Sequence, residues 1–303
     1  MSSPNAWPSL EYASWAATKR SLHLYAQMLG KLRLALAPPQ PNWMHTSLAL
    51  TPRGFSTGLV PHAAGSVLGR IDVFDATLIL ETSDGRSAAV ALDETPATVA
   101  RVYADFTAAL RRLDVDVTLD PVPQEISDQT PLDRDDRPAP FERHDAQRWL
   151  SVVTASNAIF ERWRARFFGR SGIQLWWGAC DFALLLFSGK HVEPPTDRGY
   201  LMKYDLDAEM LNVGFYPGDD ANAAIFYGYI YPQPAGCETI SLAPPDAVWS
   251  TALREWILPY EAVRAAADPA AALSAFLDAI YGVCGSAGGW NHAELSYTAP
   301  PHR

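Results

Sequence analysis

Between Trp43 and Leu92 the chain is a succession of short apolar segments, each ended by proline, glycine or aspartate. The segments 43–51, 54–60, 67–74, 76–82 and 86–92 read as strands, and Ser83-Asp84-Gly85 makes 76–92 a hairpin. Strands this closely spaced predict an antiparallel sheet. Helical periods flank the run. Leu22, Tyr25, Met28, Leu29, Leu32 and Leu36 predict a helix over 12–36, stopped by Pro38-Pro39. A second helix is expected over 96–113, with Thr95 as N-cap and Pro96 at the first helical position. A short strand, 115–119, should follow.

The pattern then recurs. Residues 121–145, rich in proline and aspartate, read as an exposed irregular connector. A third long helix is expected over 145–168, with Gly169 just past its end. Strands follow at 175–187, 210–216 and 225–231, then helices at 247–258 and 269–283. Each half runs from a long helix through strands to a closing helix. Pro96-Ala97 with Tyr103 and Asp105 is echoed by Pro269-Ala270 with Phe276 and Asp278. The expected fold is α+β: two similar halves, 1–120 and 146–303, each an antiparallel sheet with long flanking helices. An internal duplication and a chance likeness both account for the echo.

Bulk properties narrow the function. Hydrophobic residues make up 48% of the 303, enough for one large core or two ordinary ones. A formal charge of −10 lacks the cationic footprint that a phosphate backbone requires, so nucleic acid is not an expected partner. The three cysteines, Cys180, Cys237 and Cys284, are far apart, with no CxxC pair, which fits a reducing compartment. The first residues lack a basic stretch followed by an apolar one, and the most apolar run, 173–189, contains Asp181. The expectation is a cytoplasmic protein without a membrane partner.

Candidate site residues fall into four groups. On the first helix His23, Gln27 and Lys31 stand at i, i+4 and i+8 beside Gly30. They could hold an anionic or carbonyl group, with His23 as base or donor, or form a solvated face with Lys19, Arg20 and Arg33. Arg53 and Lys190 each sit beside a glycine and near hydroxyls, a pairing suited to carboxylate or phosphate, or to two ordinary hairpin corners. Asp181 interrupts an apolar strand, where a carboxylate must be ion-paired or lie at a site. Strand alternation puts Tyr227, Tyr229 and Tyr231 on one face, to line a pocket or to pack beneath a helix. Cys180 is a possible nucleophile, although a cysteine in an apolar strand is more often core. No HExxH, P-loop, GxSxG or strand-following GxGxxG is present.

The runs Leu22-His23, Gln27, Gly30-Lys31 and Arg33-Leu34, followed by Ala37-Pro38-Pro39 and Thr51-Pro52-Arg53-Gly54, resemble the bacterial family called domain of unknown function 5996. So do Trp177-Gly178, Asp181-Phe182, Phe187-Ser188-Gly189-Lys190, Gly214-Phe215-Tyr216-Pro217-Gly218 and Tyr231-Pro232. The resemblance runs from Trp7 to about Trp290 and implies one whole-chain architecture with no assigned activity. It also implies that His45, which departs from the pattern, is a poor candidate for a shared site.

The expected function is a small-molecule enzyme or ligand-binding protein with a pocket between the halves. Trp43, Trp177, Tyr227 and Tyr229 would line it, Arg53 and Lys190 would hold an anionic group, and His23 with Asp181 would supply acid/base chemistry. The alternative is a non-catalytic interaction or assembly subunit, drawing on the ten tryptophans and on the acidic connector. The sequence names no cofactor.

Overall fold

The computed structural model describes residues 6–94, 97–197 and 203–298. The chain divides into two compact units. The first comprises 10–151 and 174–181; the second takes the remaining residues, among them 152–173 and 182–298. The fold is α+β, and the strand pairs within each unit are antiparallel.

In the first unit, helix α1 (Ala16–Leu36) follows a single 3-10 turn, Tyr12–Ser14. Strands β1 (Leu48–Thr51), β2 (Gly54–His62), β3 (Gly65–Asp72), β4 (Thr77–Thr82) and β5 (Ser87–Ala91) form a meander. β6 (Gln174–Trp176) returns from far along the chain to pair with β1, giving the order β6-β1-β2-β3-β4-β5. The apolar stripe of α1 packs on β1, β2 and β3, and helix α2 (Val99–Arg112) packs on β4 and β5. Tyr25, Phe55, Phe106 and Trp149 are fully buried here, each removing an aromatic ring from water at a gain of about 2–3 kcal/mol. Trp149 stacks on Trp15 and tilts against Phe55, with centroids 6.2 and 4.9 Å away.

Helix α3 (Arg143–Arg164) begins in the first unit and ends in the second. The second unit continues with β7 (Asp181–His191), β8 (Ala208–Tyr216), β9 (Ile225–Tyr231), β10 (Val248–Ser250) and β11 (Glu255–Pro259), ordered β10-β11-β9-β8-β7. Short helix α4 (Tyr260–Ala265), then α5 (Pro269–Ser286) and α6 (His292–Leu295), follow. Asp268 caps α5 by accepting from Ala271 N–H, with Pro269 at its first position. By length and hydropathy α5 could cross a membrane. Instead it buries Leu273, Phe276, Leu277 and Ile280 and packs on β8 and β9.

Several expectations need correction. Residues 247–258 form strands, not a helix: Trp249 and Trp256 face each other across β10 and β11, with centroids 4.9 Å apart. This aromatic cross-strand pair outweighs the helix propensity of Ala252, Leu253 and Arg254. Residues 115–119 are not a strand, although Val115 and Leu119 are buried. The single strand expected over 175–187 is two, broken by a turn at 177–180 in which Cys180 has φ +66°. Helix α3 stops at Arg164, so Gly169 does not end it; Gly169 instead lies against the Phe187 backbone, accepting from Phe187 N–H. Thr98, whose hydroxyl accepts from Arg101 N–H, caps α2. The expected cap Thr95 and Pro96 lie outside the described residues.

The segment read as an exposed connector, 121–145, belongs to the first unit. It is irregular but not loose. Leu132, Ala139 and Phe141 are buried, and Asp135 pairs with both Arg20 and Arg137.

Candidate functional site

The polar arc of α1 is covered. His23, Gln27 and Lys31 are only 4%, 0% and 2% exposed, which rules out a solvated face. Their partners are almost all main-chain atoms. Lys31 Nζ donates to Val122 O at 2.6 Å. Gln27 Nε2 donates to Gln124 O at 2.9 Å and its Oε1 accepts from Gln124 N–H at 2.8 Å, so one side-chain amide pairs with a peptide unit as a strand would. His23 Nε2 stands 2.9 Å from both Trp177 O and Gly178 O. Two carbonyls require a donor, so the proton is assigned to Nε2. Burial, reinforced by the Lys19 charge, pushes His23 down to about 4, and the ring is neutral at physiological pH.

The i, i+4, i+8 spacing therefore grips two segments, 122–124 and the turn 177–178. Gly30 completes the grip. The Trp177 indole occupies the space that a Cβ at position 30 would need, and its Nε1 donates to Thr46 O at 2.8 Å. Lys31 Nζ lies 5.9 Å from the same ring. Arg33, on the same helix, donates from Nε to His45 O at 2.7 Å and from Nη1 to Thr57 O.

Next to the gripped atoms sits Glu125, which the sequence reading passed over as part of a connector. Its backbone is left-handed, φ +59°. Its carboxylate packs on Gly178, in the space of a missing Cβ. The residue keeps an exposed side, yet protein crowds the rest of it, and burial pushes its carboxyl up. Among the described residues it makes no hydrogen bond or ion pair. Cys180, across the same turn, is buried and also left-handed, and burial pushes its thiol up to about 11. Asp181 opens β7 directly after it. Strained non-glycine residues gather at functional sites, and two of them border this turn.

The other candidates lie elsewhere. Arg53, at the β1–β2 corner, pairs with Asp72 and with Asp75 at 2.7 Å, and lies 5.1 Å from the Phe74 ring centroid. None of these partners belongs to α1. Trp43 sits in a 3-10 turn rather than a strand and stacks on His45 at 5.7 Å. Lys190, Tyr227 and Tyr229 belong to the second unit. Lys190 pairs with Glu209 at 3.3 Å. The three tyrosines of β9 share a face, as period two requires. Tyr227 lies over Gly214, and Tyr229 Oη accepts from Asn212 Nδ2 at 3.0 Å. Among the described residues no cluster of three or more His, Cys, Asp or Glu could hold a metal.

No curated protein and no solved structure matches the chain. The signature of one family matches residues 7–297. From α1 through the Glu125 segment and the 177–181 turn to the second unit, the chain thus belongs to the family of unknown function DUF5996.

Proposed function

We propose that the protein is a small-molecule enzyme or ligand-binding protein that takes an anionic ligand at segments 122–125 and 177–181. One observation carries this reading. Lys31 and Arg33 donate to backbone carbonyls, so their charges are held without a carboxylate in hydrogen-bond contact. Burial lowers the pKa of both, and for Lys31 the Asp120 carboxylate opposes it. A neutral acceptor leaves a cation's field standing, and a small anion is what such a field attracts. His23 and Gln27 act as positioning residues that fix the two segments, Lys31 supplies charge as well as grip, and acid/base work falls to the carboxyl groups beside them, Asp181 included. Calorimetric titration with inorganic phosphate and with acetate at low ionic strength tests the reading. Saturable binding that Lys31→Met weakens about tenfold supports it; no binding of either probe by the intact chain overturns it.

The second reading, an interaction or assembly subunit, draws on the exposed ring pair Phe168 and Tyr297. Their centroids stand 5.6 Å apart. A concentration-dependent sedimentation coefficient abolished by Phe168→Ser supports it; an unchanged coefficient at every concentration speaks against self-assembly. The three buried free cysteines support a cytoplasmic setting. We also infer a duplicated ancestry, because each half of the chain sets a long helix ahead of antiparallel strands and closes on another helix.

A further inference from the structure

We propose that Glu125 is the proton-exchanging group of this site, donating a hydrogen bond from its protonated carboxyl to an oxygen of the anionic ligand. The inference rests on the anion-site reading and adds to it a residue and a pH dependence.

Four features of Glu125 converge. The backbone at φ +59° is one that residues with a Cβ rarely adopt, so the conformation is held at a cost to stability. The neighbouring Gln124 is fixed on both its N–H and its C=O by Gln27, which leaves little freedom to relax. Gly178 leaves open the space that the carboxyl fills, and Gly178 O is one of the two oxygens held by His23. Finally, the carboxyl makes no hydrogen bond or ion pair among the described residues, and the residue keeps an exposed side from which a ligand can reach it. A carboxyl that is strained into place and left without a partner is poised for something that arrives from outside.

The surroundings allow it to hold a proton. Helix α1 carries Lys19, Arg20, His23, Tyr25, Lys31 and Arg33, the segment of Glu125 carries Asp120 and Asp128, and the turn carries Cys180 and Asp181. Burial alone sets the direction of its shift. The proton comes from solvent and remains on the carboxyl as a hydrogen-bond donor; no covalent bond forms or breaks. The ligand class is a small molecule bearing a carboxylate or phosphoryl oxygen.

Two experiments decide it. In the first, phosphate and acetate affinities of the full chain are measured by calorimetry from pH 5 to 8. Expected is tighter binding as pH falls in the wild type. Glu125→Gln should lose the extra tightening at low pH and keep only the pH dependence that the probes' own titration gives, because an amide donates at every pH, and Glu125→Ala should bind about tenfold more weakly. A wild-type pH profile that survives in Glu125→Gln, or an unchanged affinity in Glu125→Ala, overturns the proposal while Lys31→Met still reports on the site itself. The second experiment needs no ligand. Glu125→Gly removes the backbone strain and should raise Tm by about 2 °C. A Tm that fails to rise shows Glu125 serving the fold, and overturns the proposal whatever the probes do.

Discussion

The Trp177 indole lies across Gly30 so closely that the helix has no room for a side chain at that position. A glycine in mid-helix ordinarily weakens it by about 1 kcal/mol relative to alanine. Here the sign should reverse. Gly30→Ala is expected to destabilise the protein by about 2 kcal/mol through overpacking, read as a lower urea midpoint. A raised midpoint would show that the indole moves aside freely.

His23 gives stability a pH dependence. Its folded value, about 4, lies below the unfolded value of 6.5, so the neutral ring favours the fold. The contribution is complete above pH 6.5 and is lost as pH falls toward 4, because only the unfolded chain takes up the proton in that window. The full loss is roughly 3 kcal/mol. His23→Gln should flatten the unfolding free energy between these limits, and an unchanged slope would reassign the effect to other groups.

Lys31→Met keeps the apolar stem but leaves Val122 O without its donor. A buried acceptor without a partner costs about 1–3 kcal/mol. The change should also loosen segment 122–125, so amide exchange at Gln124 is expected to speed up more than exchange in β3. Uniform acceleration across the unit would point to global rather than local loosening.

The thiols should be inert. Cys180, Cys237 and Cys284 are buried, and burial raises Cys180 to about 11. Native protein at pH 7 is expected to resist a thiol-reactive dye until denaturant unfolds it. Rapid labelling of one cysteine in the native state would refute this.

Much of the scaffold was legible because its signals are local. The α1 stripe and the tyrosine period of β9 appear at their expected places, and the 225–231 strand matches to the residue. The hairpin at 248–259 was missed because its evidence, Trp249 opposite Trp256, is a pairing and not a period. The polar arc of α1 illustrates the harder case. Its spacing was plain, but its partners at Val122, Gln124, Trp177 and Gly178 lie roughly 90 to 155 positions away. A charged arc looks solvated until the segments that cover it are known. Glu125 was hidden for the same reason, since nothing near it in sequence announces Gly178.

Gln27 and Lys31 take hold of the backbone of residues 122 and 124, never of their side chains. A grip of this kind is blind to the identity of what it holds. Positions 122 and 124 are therefore free to drift among most residue types, proline excepted at both, because the N–H of 124 is held by Gln27 and that of 122 by Asp120. Positions 27 and 31 have no such latitude. Evolution can rewrite the side chains of the held segment while the hand that holds it stays the same.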